Sequence, residues 1–174
     1  MRVFIGRLKA RLRALQPGVS IGSKTIFEGS VYLRKSGGRI TIGRKCHFYH
    51  GAQILGRDGD VVIGNGCSIN ANTVLYGQGG LRIGDGVRIA ANTVIVPSNH
   101  RFDSTDIPIF QQGFEAQGIE IKDDVWIGAN CTVLDGVTIA QGCIIGAGST
   151  VTKSTEPFGI YVGSPAKLLR SRKS

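Results

Sequence analysis

The sequence predicts an all-β fold, a single-stranded parallel β-helix with triangular coils, and three regularities predict it. Apolar residues recur every six positions, every departure from six falls after the third repeat of a triplet, and small residues hold one fixed place in each hexad. In the first pattern Ile121, Ile127, Val133, Ile139, Ile145 and Val151 follow one another without a gap. The same phase gives Ile83, Ile89, Ile95; Ile63, Ile69, Leu75; Ile42, Phe48, Ile54; and Ile21, Phe27, Leu33. An amphipathic helix cannot hold a six-residue period on one face.

The second pattern shapes the coil. Leu33 to Ile42 and Ile54 to Ile63 are nine residues, Leu75 to Ile83 is eight, and Ile95 to Ile121 is twenty-six. One turn therefore has three short flat faces, and all extra residues leave at one corner while the stacked turns bury a column of aliphatics. Periodicity does not supply the hand of the coil. In the third pattern the position four after each aliphatic that another follows at six holds Thr25, Val31, Cys46, Ala52, Cys67, Thr73, Val87, Thr93, Val125, Cys131, Val137, Cys143 and Ser149, sizes that suit a cramped corner. All four cysteines occupy this slot and read as small hydrophobes, since no CxxC spacing suggests a zinc site or a disulfide framework. Gly22, Gly43, Gly64, Gly84, Gly128 and Gly146 read as turn residues of the repeat, and the phosphate-cradling GxxxxGK[ST] pattern is absent.

The β-helix is expected over 18–156, with a loop inserted at 101–119, and 157–174 form a basic tail. Residues 1–17 precede it as a helix in which Phe4, Leu8, Leu12 and Leu15 share a face and which Pro17 and Gly18 end. That helix either caps the open end of the coil or, with Arg2, Arg7, Lys9, Arg11 and Arg13, rests on an anionic membrane.

At 174 residues the chain is long enough for one well-buried domain. Its net charge of +9 suits an anionic surface or a phosphorylated small molecule. Nucleic acid fits poorly, because the basic termini lack interleaved aromatics for base stacking. No unbroken apolar signal region and no stretch of about 20 apolar residues occurs, so the expected location is cytoplasmic, with a peripheral place at the inner face of the cytoplasmic membrane left open.

His100 stands five residues past Ile95, where the repeat breaks into the long loop. A rigid corner beside a loop is where binding and catalytic groups are commonly presented. Imidazole, with an unperturbed pKa of about 6.5, is suited to taking a proton at neutral pH. His47 and His50 follow no comparable break and read as surface residues.

GIEIKDDVWIGANCTVLDGVTIAQGCIIGAGSTVTK (118–153) and YVGSPAKLLR (161–170) resemble the C-terminal half of the hexapeptide-repeat acyltransferases. The motif Asn99 to Asp103, with Pro108, Ile109, Gln112 and Gly113 in the loop, is similar to the sugar and polysaccharide O-acetyltransferases of that superfamily. The resemblance covers roughly 19–172. It implies a left-handed coil, against the usual right-handed crossover, and a homotrimer with active sites between subunits. It further implies acetyl-CoA as co-substrate, no metal, and a sugar or glycan acceptor. His100 matches the catalytic histidine; Asn70, Asn99 and Asp103 are the residues expected at the acceptor, with Asn72 competing with Asn70. Trp126 matches a residue near the thioester. Ala129 and Ala147 match positions whose backbone meets the pantetheine arm, Thr152 and Lys153 a pair beside the cofactor, and Lys167 and Arg170 the basic residues that meet its phosphates. One departure is Lys122, where the repeat commonly has glycine; only a surface corner is expected to change.

The resemblance implies direct transfer, with His100 as general base, the oxyanion received by backbone N–H groups, and no acyl-enzyme. A zinc hydratase of the carbonic anhydrase type shares the fold but needs converging histidines, and RFDST follows His100 instead. A noncatalytic β-helix scaffold is the alternative of another class. Among acceptors a polysaccharide or lipopolysaccharide hydroxyl comes first, an amine on a nucleotide-linked sugar second, and a small antibiotic third.

Overall fold

The computed structural model describes residues 2–173, with an N-terminal helix, Arg2–Arg13, ahead of six stacked coils. Each coil contributes one short strand to each of three parallel sheets. The first face holds Val19–Ile21, Ile40–Ile42, Val61–Ile63, Leu81–Ile83, Ile119–Ile121 and Thr138–Ile139; the third holds Tyr32–Lys35, Gln53–Gly56, Val74–Tyr76, Val94–Ile95, Thr132–Val133 and Thr150–Val151. The second face runs Ile26–Phe27, His47–Phe48, Ser68–Ile69, Arg88–Ile89, Trp126–Ile127 and Ile144–Ile145, then Gly159–Val162 and the antiparallel strand Lys167–Ser171. The coil is left-handed.

Register makes the hexad into a column. Ile89 pairs with Ile69 on one side and Ile127 on the other, and Ile95 likewise with Leu75 and Val133. Of the eighteen repeat aliphatics all but Ile21 are buried, and Ile21, in the first coil, packs half-buried against the same core. The small-residue slot is buried throughout, and size is not its only requirement. Thr25, Thr73 and Thr93 donate their hydroxyls to the carbonyls of Gly43, Ala90 and Gly128 in the next coil at 2.8–3.1 Å. Cys46, Cys67 and Cys131 do the same through their thiols to Gly64, Gly84 and Gly146 at 3.1–3.2 Å.

Two expectations change. The repeat glycines do not sit at positive φ; Gly128, for example, is glycine because a Cβ there would stand 2.5 Å from the Ala147 nitrogen of the next coil. Positive φ falls two residues later, at Lys24, Lys45, Asn72, Asn92, Asp124 and Asn130 among others. Lys122, in a glycine slot, keeps its side chain at the surface and pairs with Glu120 at 2.6 Å. The helix does cover the first coil, yet through Gly6 and Ala10, which are buried against Ile26 and Phe27. Phe4, Leu8, Leu12 and Leu15, the face expected to make that contact, are exposed. A Cβ at position 6 would meet the Ile26 side chain at 2.7 Å, so the thin edge of the coil admits only the small side of the helix.

Candidate active site

His100 is built at the base of an ordered arm. The inserted loop is a ribbon in which Asn99–His100 pairs antiparallel with Phe114–Glu115. Its two ends are tied to the coils: Ser98, buried, donates to the Gln78 amide oxygen at 3.3 Å, and the Gln117 and Gly118 N–H groups donate to the Asp135 carboxylate at 2.9–3.0 Å. At the tip, the Gln112 side chain accepts from the Ser104 N–H and donates to the Ser104 and Ile107 carbonyls, closing a turn capped by Pro108. Gly113, at φ +79°, turns the chain into the returning strand.

The His100 ring is exposed and lies against Phe114, with ring centroids 4.2 Å apart. Among the described residues it has no hydrogen-bond partner, unlike the other histidines. His47 bonds Glu28 at 3.0 Å, and the Ser30 N–H donates to His50 Nδ1 at 3.3 Å. Among the described residues no three metal-ligating side chains cluster. Phe114 was not singled out in the sequence; its partnership with His100 comes from a cross-strand register that no short motif carries.

A second group of predicted residues runs along the other edge of the third face. Trp126 projects outward from the second face, about half exposed, and Ala129 and Ala147 follow at the corner between second and third faces in successive coils. Inward hydrogen bonds set the peptides here. Thr93 holds the Gly128 carbonyl and Cys131 holds that of Gly146, so in each trans peptide the next N–H, of Ala129 and Ala147, points outward. Neither N–H has a protein acceptor among the described residues. The opposite is true at the corner between first and second faces. There the N–H groups of Arg44, Asn65 and Asp85 donate to the side-chain oxygens of Asn65, Asp85 and Asp123 at 2.6–3.1 Å. The equivalent slots at the other corner are Ala71, Ala91, Ala129 and Ala147, which have no oxygen to offer. The result is a column of outward donors. Lys167 and Arg170 lie farther along this strip, exposed on the last strand of the second face.

Thr152 and Lys153 are exposed just past the third-face strand of the last coil, on the His100 side. Asn99 and Asp103 are exposed on the arm. Asn70 sits at the opposite edge in the third coil, where its amide donates to the Ile89 carbonyl at 3.2 Å. Asn72 is at φ +57° and donates to Asn92 at 3.3 Å, which accounts for its identity as a turn residue. The third face separates these groups by roughly 15 Å of strand and corner, so one chain does not bring His100 to Trp126 and the donor column. That face is itself unusual: its outward positions include Leu55, Val74, Tyr76, Val94, Val96 and Leu134, whereas the first face shows Thr41, Arg82, Glu120 and Thr138 beside a single valine, Val62. Cys131, the thiol nearest the strip, is buried and burial pushes it up, away from the reactive thiolate.

Two family models match the chain: bacterial transferase hexapeptide (six repeats) over residues 118–153 and hexapeptide repeat of succinyl-transferase over residues 60–97. A Mycobacterium tuberculosis protein named "Probable acetyltransferase" is 31% identical over 135 residues, 78% of this chain and 45% of its own length. A "Probable macrolide acetyltransferase" of Lysinibacillus sphaericus is 45% identical over 91 residues, 44% of this chain and 51% of its own length. The chain thus spans about half the length of these curated relatives. A solved mutant of AntD, an N-acyltransferase from Bacillus cereus in complex with dTDP-4-amino-4,6-dideoxyglucose and Coenzyme A, aligns with a TM-score of 0.81 at 26% identity, covering 95% of this chain and 90% of that one. The repeat, the coil and this near full-length superposition agree, and the chain carries the repeat and the fold of the hexapeptide-repeat acyltransferases.

Proposed function

We propose that the protein transfers an acetyl group from acetyl-CoA to a sugar hydroxyl in surface polysaccharide or lipopolysaccharide biosynthesis. The observation that carries this reading is the contrast between the two edges of the third face. One edge holds an exposed, unpartnered imidazole on a tied arm; the other holds outward backbone donors leading to Lys167 and Arg170. Ala129 and Ala147 N–H groups suit the carbonyls of a pantetheine arm, Trp126 its thioester end, Thr152 and Lys153 its flank, and the basic tail its phosphates.

His100 takes the proton of the acceptor hydroxyl as its oxygen attacks the thioester carbonyl, and a backbone N–H receives the oxyanion. Collapse breaks the carbon–sulfur bond, and the proton held on the imidazole goes to the departing thiolate. Asn99 and Asp103 on the arm, with Asn70, are the candidates to orient the sugar. A homotrimer completes the site: the apolar third face packs on a neighbouring copy, and the donor strip of one copy meets His100 of the next around a closed threefold. The N-terminal helix is the part proposed to meet an anionic membrane, where lipid-linked glycans are found.

A second reading, transfer to the amine of a nucleotide-linked amino sugar, is favoured by the AntD complex with such a sugar. Both are tested together. Calorimetric titration with acetyl-CoA should give one site per chain, weakened by Lys153→Ala or Arg170→Ala. Thiol release from acetyl-CoA with lipid-linked glycans or with nucleotide-linked amino sugars then decides the acceptor. His100→Ala should lower turnover by about two to four orders of magnitude while sparing acetyl-CoA affinity. Near-normal turnover would remove His100 from the mechanism, and absence of acetyl-CoA binding would leave a scaffold.

A further inference from the structure

The N-terminal helix makes its contact with the first coil through Gly6 and Ala10. At 3.6 residues per turn, Phe4, Leu8 and Leu12 lie on average about 180° from that pair. The helix therefore turns an apolar ridge away from the first coil, with Phe4 74%, Leu8 48% and Leu12 58% exposed, and Leu15, just past its end, is 78% exposed. Arg7 and Arg11, both exposed, flank the ridge on one side, while Lys9 and Arg13 lie toward the first coil, where Lys9 donates to the Gly29 carbonyl at 3.2 Å.

An independent observation points the same way. Residues 1–57, the helix and the first two coils, hold twelve Lys and Arg against one acid, Glu28, a net +11; the remaining chain holds nine against eleven, a net −2. All of the chain's excess positive charge thus lies at the end where the ridge is. Arg34, Lys35, Arg44 and Lys24 are exposed there. An apolar ridge between basic residues, backed by a strongly positive pole, is complementary to a bilayer carrying anionic headgroups. It is a poor match for a second copy, which would bring its own +11 pole, and nucleic acid has no use for the ridge.

We infer that the whole N-terminal pole is a docking surface for an anionic phospholipid bilayer, one that stands the β-helix upright on the membrane. This rests on the membrane contact proposed for residues 1–15 and extends it to the first two coils and to an orientation. The fifth coil, which carries Trp126, then lies roughly 20 Å above the first at about 4.8 Å per coil, out of contact with lipid.

The test uses the full chain with vesicles of phosphatidylcholine alone or mixed with phosphatidylglycerol, sedimented at low salt. Binding to the mixed vesicles only is expected. Combined Phe4→Ser, Leu8→Ser and Leu12→Ser substitutions should cut it by tenfold or more, and combined Arg34→Gln, Lys35→Gln and Arg44→Gln by about tenfold. Trp126, the only tryptophan, should keep its fluorescence when brominated lipids replace the natural ones. Circular dichroism of both variants, together with unchanged acetyl-CoA affinity, separates lost docking from lost folding and from failure of the acyl-transfer reading. No vesicle binding by the native chain refutes the membrane contact altogether. Normal binding by the coil variant, or quenching of Trp126, refutes the upright pole while leaving the helix contact. Normal vesicle binding by the ridge variant, or a change in its oligomeric state in place of its vesicle binding, assigns the ridge to protein contact and overturns the proposal.

Discussion

Thr93→Val separates two explanations of the buried corner slot. If the slot asks only for small volume, valine should be accepted: Val31, Val87, Val125 and Val137 occupy equivalent places, and the exchange swaps a hydroxyl for a methyl of similar shape. The structure gives Thr93 more to do. Fully buried, it donates to the Gly128 carbonyl at 2.9 Å and accepts from the Cys131 N–H at 3.3 Å, and both of those groups lie in buried residues. Each buried polar group left without a partner costs about 1–3 kcal/mol, and the added methyl returns about 1 kcal/mol. The net loss is about 2 kcal/mol, or roughly 4–8 °C in Tm for a chain of this size. Thr93→Ser keeps both bonds and removes one methyl, about 1 kcal/mol. Differential scanning calorimetry should therefore rank the three as threonine, serine, valine. The order threonine, valine, serine would refute the hydrogen-bond reasoning and restore the volume explanation. Because the same bond turns the Ala129 N–H outward, the valine variant should also bind acetyl-CoA more weakly than the serine variant.

Glycines in neighbouring slots should respond oppositely. Gly128→Ala places a Cβ 2.5 Å from the Ala147 nitrogen, so it should destabilise by about 1–3 kcal/mol, read as a lower denaturant midpoint. Gly148→Asn has open space at φ +72° and follows Asn72, Asn92 and Asn130 in the same slot, so it should stay within about 0.5 kcal/mol of the native chain. Asp85 gives a pH test: hydrogen bonds from the Asn65 backbone and side-chain amides, with Arg44 nearby, hold its carboxyl below the ordinary value of about 3.9. A depressed folded value means this contribution is present above about pH 4 and is lost as pH falls through the folded value. Asp85→Asn should flatten the acid limb of the stability curve, and an unchanged limb in urea titrations across that range would count against the ladder. Gln112→Ala removes the bonds to Ser104 and Ile107 at the arm tip, and should raise the KM of the acceptor while leaving the Kd for acetyl-CoA alone.

The coil was legible because a hexad with three faces leaves a period that helices and ordinary strands do not produce, and the buried column follows that period residue by residue. The hand was not, since mirror-image coils share one periodicity. The helix was found but turned the wrong way: an apolar stripe normally marks the buried side, and here the edge of the first coil is too thin to receive Phe4 or Leu8, so Gly6 and Ala10 make the contact. The donor column had a signal in the sequence that volume alone concealed. Asn65, Asp85 and Asp123 fill the slot at one corner, and Ala71, Ala91, Ala129 and Ala147 fill it at the next. Read as capping oxygens present or absent, that alternation locates the edge where backbone donors stay free.

The arm motif divides in the same way between residues that build and one that does not. Gln112 closes the tip, Pro108 starts its turn, Gly113 supplies the φ that returns the chain, and Asn99 lies in register with Glu115. The roles of Gln112, Pro108 and Gly113 explain those residue types without reference to chemistry. His100 also lies in register, opposite Phe114, but any flat ring would fill that contact, and neither of its ring nitrogens is engaged among the described residues. His47 and His50 have their partners in Glu28 and Ser30. With the ring against Phe114 and both nitrogens unengaged, His100 is the arm residue whose type the fold does not explain, and this is why we propose it as the base that His100→Ala tests.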